Sequence, residues 1–294
     1  MRPSCPLCGS EAGLAFTKLG FDYYRCPCAF VFIWPRPSGD QLLEIYLRDG
    51  QEYWTTEAMM RFAFSPTKSS REIAFLRRFR SSGRLLDIGC STGSFVKAAI
   101  ECGFHAEGID ICEPAVEAGR GLGLPLAVRD VIREEMQGEF DVVTLWATLE
   151  HVADPRSTLG RATSLLRSGG LLIVSVPNYA SLTQLLLHKW DRYVCDEHLN
   201  YFKPRVLRRA IESHGLHVAG KFTFGCNPLM FLKDIANRGR QPVNCQQMSR
   251  DETETLRLKE SPLQYAQRAA ERILNVISAG DAIAMAAIKG TSWA

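Results

Sequence analysis

Arg84-Leu85-Leu86-Asp87-Ile88-Gly89-Cys90-Ser91-Thr92-Gly93-Ser94 reads as a short buried strand that enters a tight turn and then a helix. Three apolar residues flank one acid, and Gly89 and Gly93 let the backbone bend sharply and leave room for a ligand against it. Phe95, Val96, Ala99 and Ile100 then recur at helical spacing, and Gly103 stops the pattern. The spacing predicts a βα unit with a ligand loop. A second apolar run, from Phe104 to Ile109, ends in Asp110, 23 residues after Asp87. An acid at that strand tip is where α/β nucleotide folds hold a ribose by its hydroxyls. A third run, Leu124 to Val128, ends near Asp130, whose carboxylate can accept from an adenine amino group.

The loop lacks the middle glycine of a dinucleotide fingerprint, with Ser91 near its place, and Asp87 sets a negative charge beside it. A pyrophosphate is held by bare N–H groups away from carboxylates, whereas an ammonium or a sulfonium is attracted to one. With these residues the chain resembles the class I S-adenosylmethionine-dependent methyltransferases, whose first motif reads acidic-x-Gly-x-(Gly/Ser)-x-Gly and whose second strand ends in an acid. The resemblance spans residues 66–224. It implies an α/β fold, a doubly wound, seven-stranded Rossmann-like sheet with the last strand antiparallel. It also implies S-adenosylmethionine as cofactor, with Asp87, Gly89, Cys90, Gly93, Asp110, Ile111, Asp130, Val131 and Trp146 as the residues that bind it.

A chain of 294 residues with 46% hydrophobic content is long enough for one large domain and a small one. No run of 18 uninterrupted apolar residues occurs, and the first residues form no apolar signal segment, so the expectation is a cytoplasmic protein that does not enter a membrane. The net charge of +3 is close to balance, and the one basic run, Arg205, Arg208 and Arg209, reads as the solvated face of a helix. Nucleic acid is therefore not an expected partner.

Ten cysteines in a chain of this length without an export signal read as thiols and metal ligands in preference to disulfides. Cys5-Pro6-Leu7-Cys8-Gly9 is a metal-knuckle sequence, and Cys26-Pro27-Cys28 supplies a second pair, one residue tighter than the usual spacing. Four thiolates close a zinc shell, so zinc bound by Cys5, Cys8, Cys26 and Cys28 is structural. A metal-free knuckle and a redox pair stay open as alternatives. The aromatic run from Phe21 to Pro37 resembles the amino-terminal zinc ribbon of a bacterial subfamily of these methyltransferases, members of which act on nucleotide sugars, cell-envelope glycans and natural-product intermediates. The chain then divides into a zinc-ribbon-like segment over 1–35, a helical linker or cofactor lid over 36–65, and a methyltransferase domain over 66–294 with a helical insertion at 226–279.

Ser38 is placed to cap a short linker helix bearing Leu42, Leu43, Ile45 and Tyr46, and Tyr53 and Trp54 either close over the cofactor or pack between ribbon and domain. A helix over 66–79 leads into the first strand. Phe140 to Trp146 is the fourth strand, and Asp154-Pro155 opens a helix that closes at Gly169-Gly170. Between them, Leu149-Glu150-His151-Val152 resembles the matching segment of ubiquinone-type O-methyltransferases, and His151 reads as a helix-entry hydrogen bonder. Gly170 to Val176 is a fifth strand, Leu216 to Phe224 a sixth, and the run to Ile288 the last, antiparallel beside the sixth as the family fold requires. In the insertion, Leu263, Ala266, Ala270, Ile273 and Ile277 form one apolar helical stripe.

Titratable and aromatic residues are densest at Cys195-Asp196-Glu197-His198-Leu199-Asn200-Tyr201-Phe202, the candidate active site. The Glu-His-Leu-x-Tyr-Phe string resembles a segment of sugar C-methyltransferases and related O-methyltransferases in which the histidine removes a proton. On that resemblance His198 is the base and Glu197 orients it or contacts substrate; a substrate-binding or structural role for His198 remains open. Cys195 stands where some of those enzymes have tyrosine. The expected function is methyl transfer to oxygen or carbon of a small-molecule acceptor, a sugar or natural-product intermediate. The alternatives are an RNA methyltransferase with a zinc module, and a non-catalytic protein that keeps the fold.

Overall fold

In the computed structural model, residues 2–18, 20–38, 40–42, 44, 60, 63–65, 69–188, 193–195, 197–225, 235–236 and 274–290 are described. Successive residues of a strand point to opposite faces, and the first strand of the main sheet shows the consequence. In β4 (Gly83–Ile88), Leu85 packs into one core cluster while Leu86 and Ile88 pack into another. Both faces are thus covered. Each fully buried leucine of this kind contributes about 1.5–3 kcal/mol.

Seven strands make the sheet. β5 (Phe104–Asp110) and β6 (Leu126–Val128) lie on one side of β4; β7 (Phe140–Trp146) and β8 (Leu166–Pro177) lie on the other, all parallel. β11 (Ala282–Lys289) is inserted antiparallel between β8 and β10 (Leu216–Phe224), giving the order β10-β11-β8-β7-β4-β5-β6. One face is covered by α1 (Ser70–Leu76), α2 (Ser94–Glu101) and α3 (Glu113–Arg120), which supply Phe75, Leu76, Phe95, Val96 and Val116. On the other face α4 (Pro155–Ser164) and α6 (Pro204–Glu212) bring Leu159, Ala162, Leu207 and Ile211. Asp154 caps α4, accepting from Ser157 N at 2.9 Å. The chain leaves β4 toward β5 on one side and returns as β7 on the other. This reversal of strand order opens a crevice at the strands' carboxyl ends.

A second, four-stranded sheet is built from β1 (Gly13–Lys18), β2 (Phe21–Arg25), β3 (Val31–Trp34) and β9 (Asn200–Tyr201). The first three belong to the cysteine-bearing segment; the fourth comes from the active-site candidate. Val31 pairs with Tyr201 and Phe32 with Asn200, and Ile33 N donates to Leu199 O at 3.1 Å. Tyr23, Val31, Ile33, Tyr179, Val194, Leu199 and Tyr201 form a core of their own, while Phe30 packs against Phe202 with centroids 5.0 Å apart and joins the main core.

The expected strands and helices are present with some shifted ends. The helix expected over 66–79 spans Ser70–Leu76 among the described residues. α4 stops at Ser164 and β8 starts at Leu166, so Gly169-Gly170 lies within the strand instead of closing the helix; Phe140 pairs with Leu166, and a register shift before Val142 accommodates the glycines. Ser38 Oγ accepts from Gln41 N at 3.2 Å while Ser38 N donates to Gln41 Oε1, a reciprocal cap for helical residues 40–42. Leu43, Ile45, Tyr46, Tyr53, Trp54 and the stripe residues Leu263, Ala266, Ala270 and Ile273 lie outside the described residues. Among the described residues no helix is long and apolar enough to cross a membrane.

Candidate active site

The loop between β4 and α2 requires its glycines. Gly89 has φ +77°, and a Cβ there would lie 2.4 Å from Thr148 Oγ1; Gly93 has φ +80°, and its Cβ would meet Leu126 at 2.8 Å. Thr148 Oγ1 donates to Ile88 O at 3.1 Å, tying the end of β7 to the end of β4. Asp110, at the tip of β5, accepts from Ser91 N at 2.8 Å and Cys112 N at 2.9 Å, so it fixes the loop that it faces. Burial holds its carboxyl above the usual range. Cys90 is buried against Gly108, and Trp146 packs on Phe95 with centroids 5.2 Å apart.

Asp87 is 2% exposed, one residue inside the strand and beneath the loop. Thr144 Oγ1 donates to it at 2.7 Å, yet burial raises its pKa to about 7. Asp130 follows β6, half-buried, and accepts from Ile132 N at 2.8 Å; Val131 beside it is buried, its carbonyl taking Arg161 Nε at 3.2 Å. Asp87, Gly89, Cys90, Gly93, Asp110, Ile111, Asp130, Val131 and Trp146 are all carried at or just past the carboxyl ends of β4 to β7. Ser91 Oγ and Trp146 Nε1 are buried with no hydrogen-bond partner among the described residues. Buried polar groups are normally satisfied. Carboxylates, a glycine loop and two orphaned polar atoms fit a cationic nucleoside, and they fit a diphosphate poorly.

Beside this crevice, Glu150, His151 and His198 bring three donor atoms within 4.8 Å of one another, close enough to share a proton or a cation. Ala147, at φ +50°, turns the chain sharply out of β7 and delivers Glu150 and His151; β9 and the residues before it deliver His198. Glu150 O accepts from Leu199 N at 2.8 Å and Asn200 N at 3.0 Å, which locks the two segments together. His151 Nδ1 faces Glu197 O at 3.0 Å and His198 Nδ1 faces Tyr193 O at 2.9 Å. Each Nδ1–H therefore donates to a carbonyl, and the Cys195 side chain also hydrogen-bonds the His198 ring. The two rings stand at 75° with centroids 4.7 Å apart.

Electrostatics separate the three groups. Burial raises the pKa of Glu150 to about 7, opposed by the His198 charge. Burial and the His198 charge hold His151 down at about 3. Burial also disfavours the His198 imidazolium, but the Cys195 sulfur, Glu150 and the Tyr193 carbonyl outweigh it and lift its pKa to about 10. Near neutral pH the proton sits on His198 and Glu150 is at its midpoint. Glu197 contributes its main-chain carbonyl to His151.

The sulfur atoms of Cys5, Cys8, Cys26 and Cys28 lie within 4.8 Å of one another, with Cys5–Cys28 at 3.8 Å and Cys8–Cys26 at 3.4 Å. Four sulfurs each about 2.3 Å from a tetrahedral ion would be ~3.8 Å apart. The C-x-C pair thus reaches the same geometry as the usual spacing. Arg36, just beyond the ribbon, extends its reach into the site: its guanidinium donates to Ala153 O at 2.8 Å, Val152 O at 3.0 Å and Asn200 Oδ1 at 2.8 Å. Tyr201 and Tyr23 hydroxyls both donate to Cys195 O.

Residues 60–219, more than half of the chain, match the family described as a methyltransferase domain. The chain belongs to this family and is a class I S-adenosylmethionine-dependent methyltransferase. Among its relatives, a ubiquinone biosynthesis O-methyltransferase of a Caulobacter species is 33% identical over 193 residues, covering 56% of this chain and 76% of that one. One from Methylococcus capsulatus is 32% identical over 161 residues, covering 50% and 68%. Among solved structures, a possible histamine N-methyltransferase from Thermotoga maritima superposes with a TM-score of 0.55 at 18% identity, covering 84% of this chain and 99% of that one, a likeness of fold.

The sequence reading did not single out Glu150 and took His151 as a helix-entry hydrogen bonder. The adjacent acid and imidazole at the end of the fourth strand were the available signal. Their partner in space, His198, lies 47 residues on, held beside them by the Leu199 and Asn200 N–H groups that donate to Glu150 O.

Proposed function

We propose that the protein transfers the methyl group of S-adenosylmethionine to an oxygen of a small-molecule acceptor, with the Glu150–His198 pair as proton acceptor. The carrying observation is the buried Glu150–His151–His198 cluster at the end of β7, next to the glycine loop. The cofactor, when bound, supplies a methyl carbon activated by a sulfonium. Asp87, Asp110 and Asp130 are the groups proposed to hold its ammonium, ribose and adenine; Gly89 and Gly93 give its chain room, and Cys90, Ile111, Val131 and Trp146 line it.

The acceptor hydroxyl loses its proton to the Glu150 carboxylate while the His198 imidazolium stabilises the oxygen's developing negative charge. His198, expected as the base, is in this reading the protonated partner that stabilises charge, Glu150 takes the proton, and Glu197 works through His151. The identity of the curated relatives as O-methyltransferases supports oxygen as the accepting atom. Zinc on Cys5, Cys8, Cys26 and Cys28 is proposed as a structural ion that fixes β3, and through β9 the segment carrying His198. The acceptor class expected is a sugar or a natural-product intermediate.

Incubating the protein with methyl-labelled S-adenosylmethionine and a panel of phenols, sugars and nucleotide sugars tests the reading. Label in an acceptor, released as a methyl ether by chemical degradation, is the expected result. Incorporation that Glu150→Gln and His198→Ala both leave at the wild-type rate would remove the pair from the mechanism.

A further inference from the structure

A cavity of about 620 Å³ lies outside the crevice, between the second cysteine pair and the start of α6. Lys203, Arg205, Arg209 and Lys221 line it beside Cys28 and Ala180, and among the described residues no acidic side chain does. Lys203, Arg205 and Arg209 make no ion pair or side-chain hydrogen bond among the described residues, and Lys221 donates only to the neutral Ser278 hydroxyl. Of the basic run in the sequence, Arg208 alone is matched, by Glu212 at 3.1 Å. Arg205, Arg209 and Lys221 are exposed and Lys203 is half-buried, so solvent screens their mutual repulsion in part, and a dianion in the concavity relieves what remains. The volume is that of a small-molecule site.

We propose that this cavity binds the phosphate or diphosphate group of a phosphorylated small molecule. Arginine provides forked N–H donors that match phosphoryl oxygens in pairs, and lysine provides a point charge. Lys203 is five residues beyond His198, so their backbones lie within about 17 Å. That separation is within the reach of one extended molecule with its phosphate here and its hydroxyl at the Glu150–His198 pair. Identification of that molecule with the methyl acceptor rests on the function proposed above; anion binding does not.

Calorimetric titration of the protein as purified with pyrophosphate, inorganic phosphate, sulfate and uridine diphosphate tests the site without methyl transfer. Saturable binding of pyrophosphate and uridine diphosphate is expected, at least tenfold tighter than sulfate. The Arg205→Ala/Arg209→Ala variant should lose about a hundredfold, tenfold per arginine. Its affinity for S-adenosylhomocysteine should stay at the wild-type value, which shows that the fold survives. Tighter binding of uridine diphosphate than of pyrophosphate identifies a nucleotide-borne diphosphate, and equal binding identifies the diphosphate alone. Absence of saturable pyrophosphate binding, equal binding of sulfate, or undiminished binding by the double variant would overturn the proposal, whatever the outcome of the methylation assay.

Discussion

Replacing Glu150 with glutamine keeps the side chain's shape and removes its charge. Donor atoms of Glu150 and His198 lie within 4.8 Å, and two opposite charges that far apart at an effective dielectric of about 20 attract by ~3.5 kcal/mol. Each 1.36 kcal/mol is tenfold, so His198 should lose roughly 300-fold in proton affinity in Glu150→Gln. Its pKa, about 10 in the parent, falls in consequence, while the Cys195 sulfur, the larger influence, continues to hold it up. Two assays read this. Imidazole carbon shifts followed by NMR give the titration of His198 directly. The pH dependence of kcat/KM in the parent should rise through about pH 7 as Glu150 ionises and fall near pH 10 as His198 loses its proton. The variant should lose the rise at pH 7 and about 10²–10⁴-fold in turnover, with S-adenosylhomocysteine still bound. An unchanged His198 titration, or an acid limb at pH 7 that persists in Glu150→Gln, would refute the coupling.

Three further outcomes follow from the same geometry. Asp87 has a folded pKa raised to about 7 from 3.8, so its stabilising contribution is present below pH 3.8 and is lost as pH rises through about 7. Asp87→Asn should therefore be more stable than the parent at pH 8 in guanidinium melts, by up to ~4 kcal/mol, while binding donor at least tenfold more weakly; the same pH dependence in both proteins would contradict this. Gly89→Ala forces an L side chain to φ +77° and a Cβ to 2.4 Å from Thr148 Oγ1, so donor affinity should fall more than tenfold at a stability cost of at least ~1–2 kcal/mol; unaltered affinity by calorimetry would mean that the loop is not the donor cradle. Zinc should be present at one equivalent by elemental analysis, and its loss through chelation or Cys28→Ser should lower Tm by ~4–8 °C, about 2 kcal/mol, and lower turnover because β9 pairs with β3. Metal-free protein with the parent's Tm and rate would make the cysteines irrelevant to the site.

Local chemistry was readable in the chain; long-range pairing was not. The Leu85-Leu86-Asp87-Ile88-Gly89 stretch specifies a buried strand and a glycine turn within five residues, and the acids at Asp110 and Asp130 mark strand ends by the same local logic. The antiparallel β11 came from family resemblance, since nothing local places residues 282–289 between β8 and β10. The union of the cysteine-bearing sheet with Asn200–Tyr201 depends on a two-residue strand, too short to show alternation. The same segment is bonded to Glu150 O through Leu199 N and Asn200 N, a contact across about 50 residues, so the cluster was invisible in one dimension. The burial of Asp87 was equally so: an acid between apolar residues reads the same whether it ends a strand or lies inside one. Arg205 and Arg209 are the exposed helix face that the sequence suggested; that Lys221 and Cys28 line the same concavity was not legible, because both are distant in sequence.

Titration of the purified protein with S-adenosylhomocysteine in a calorimeter tests the donor crevice most directly. One molecule per chain should bind with measurable heat, and Asp110→Ala, which removes the carboxylate holding Ser91 and Cys112, should abolish that heat. No saturable binding in the parent, or the same binding in Asp110→Ala, would contradict the placement of the methyl donor at the ends of β4 and β5.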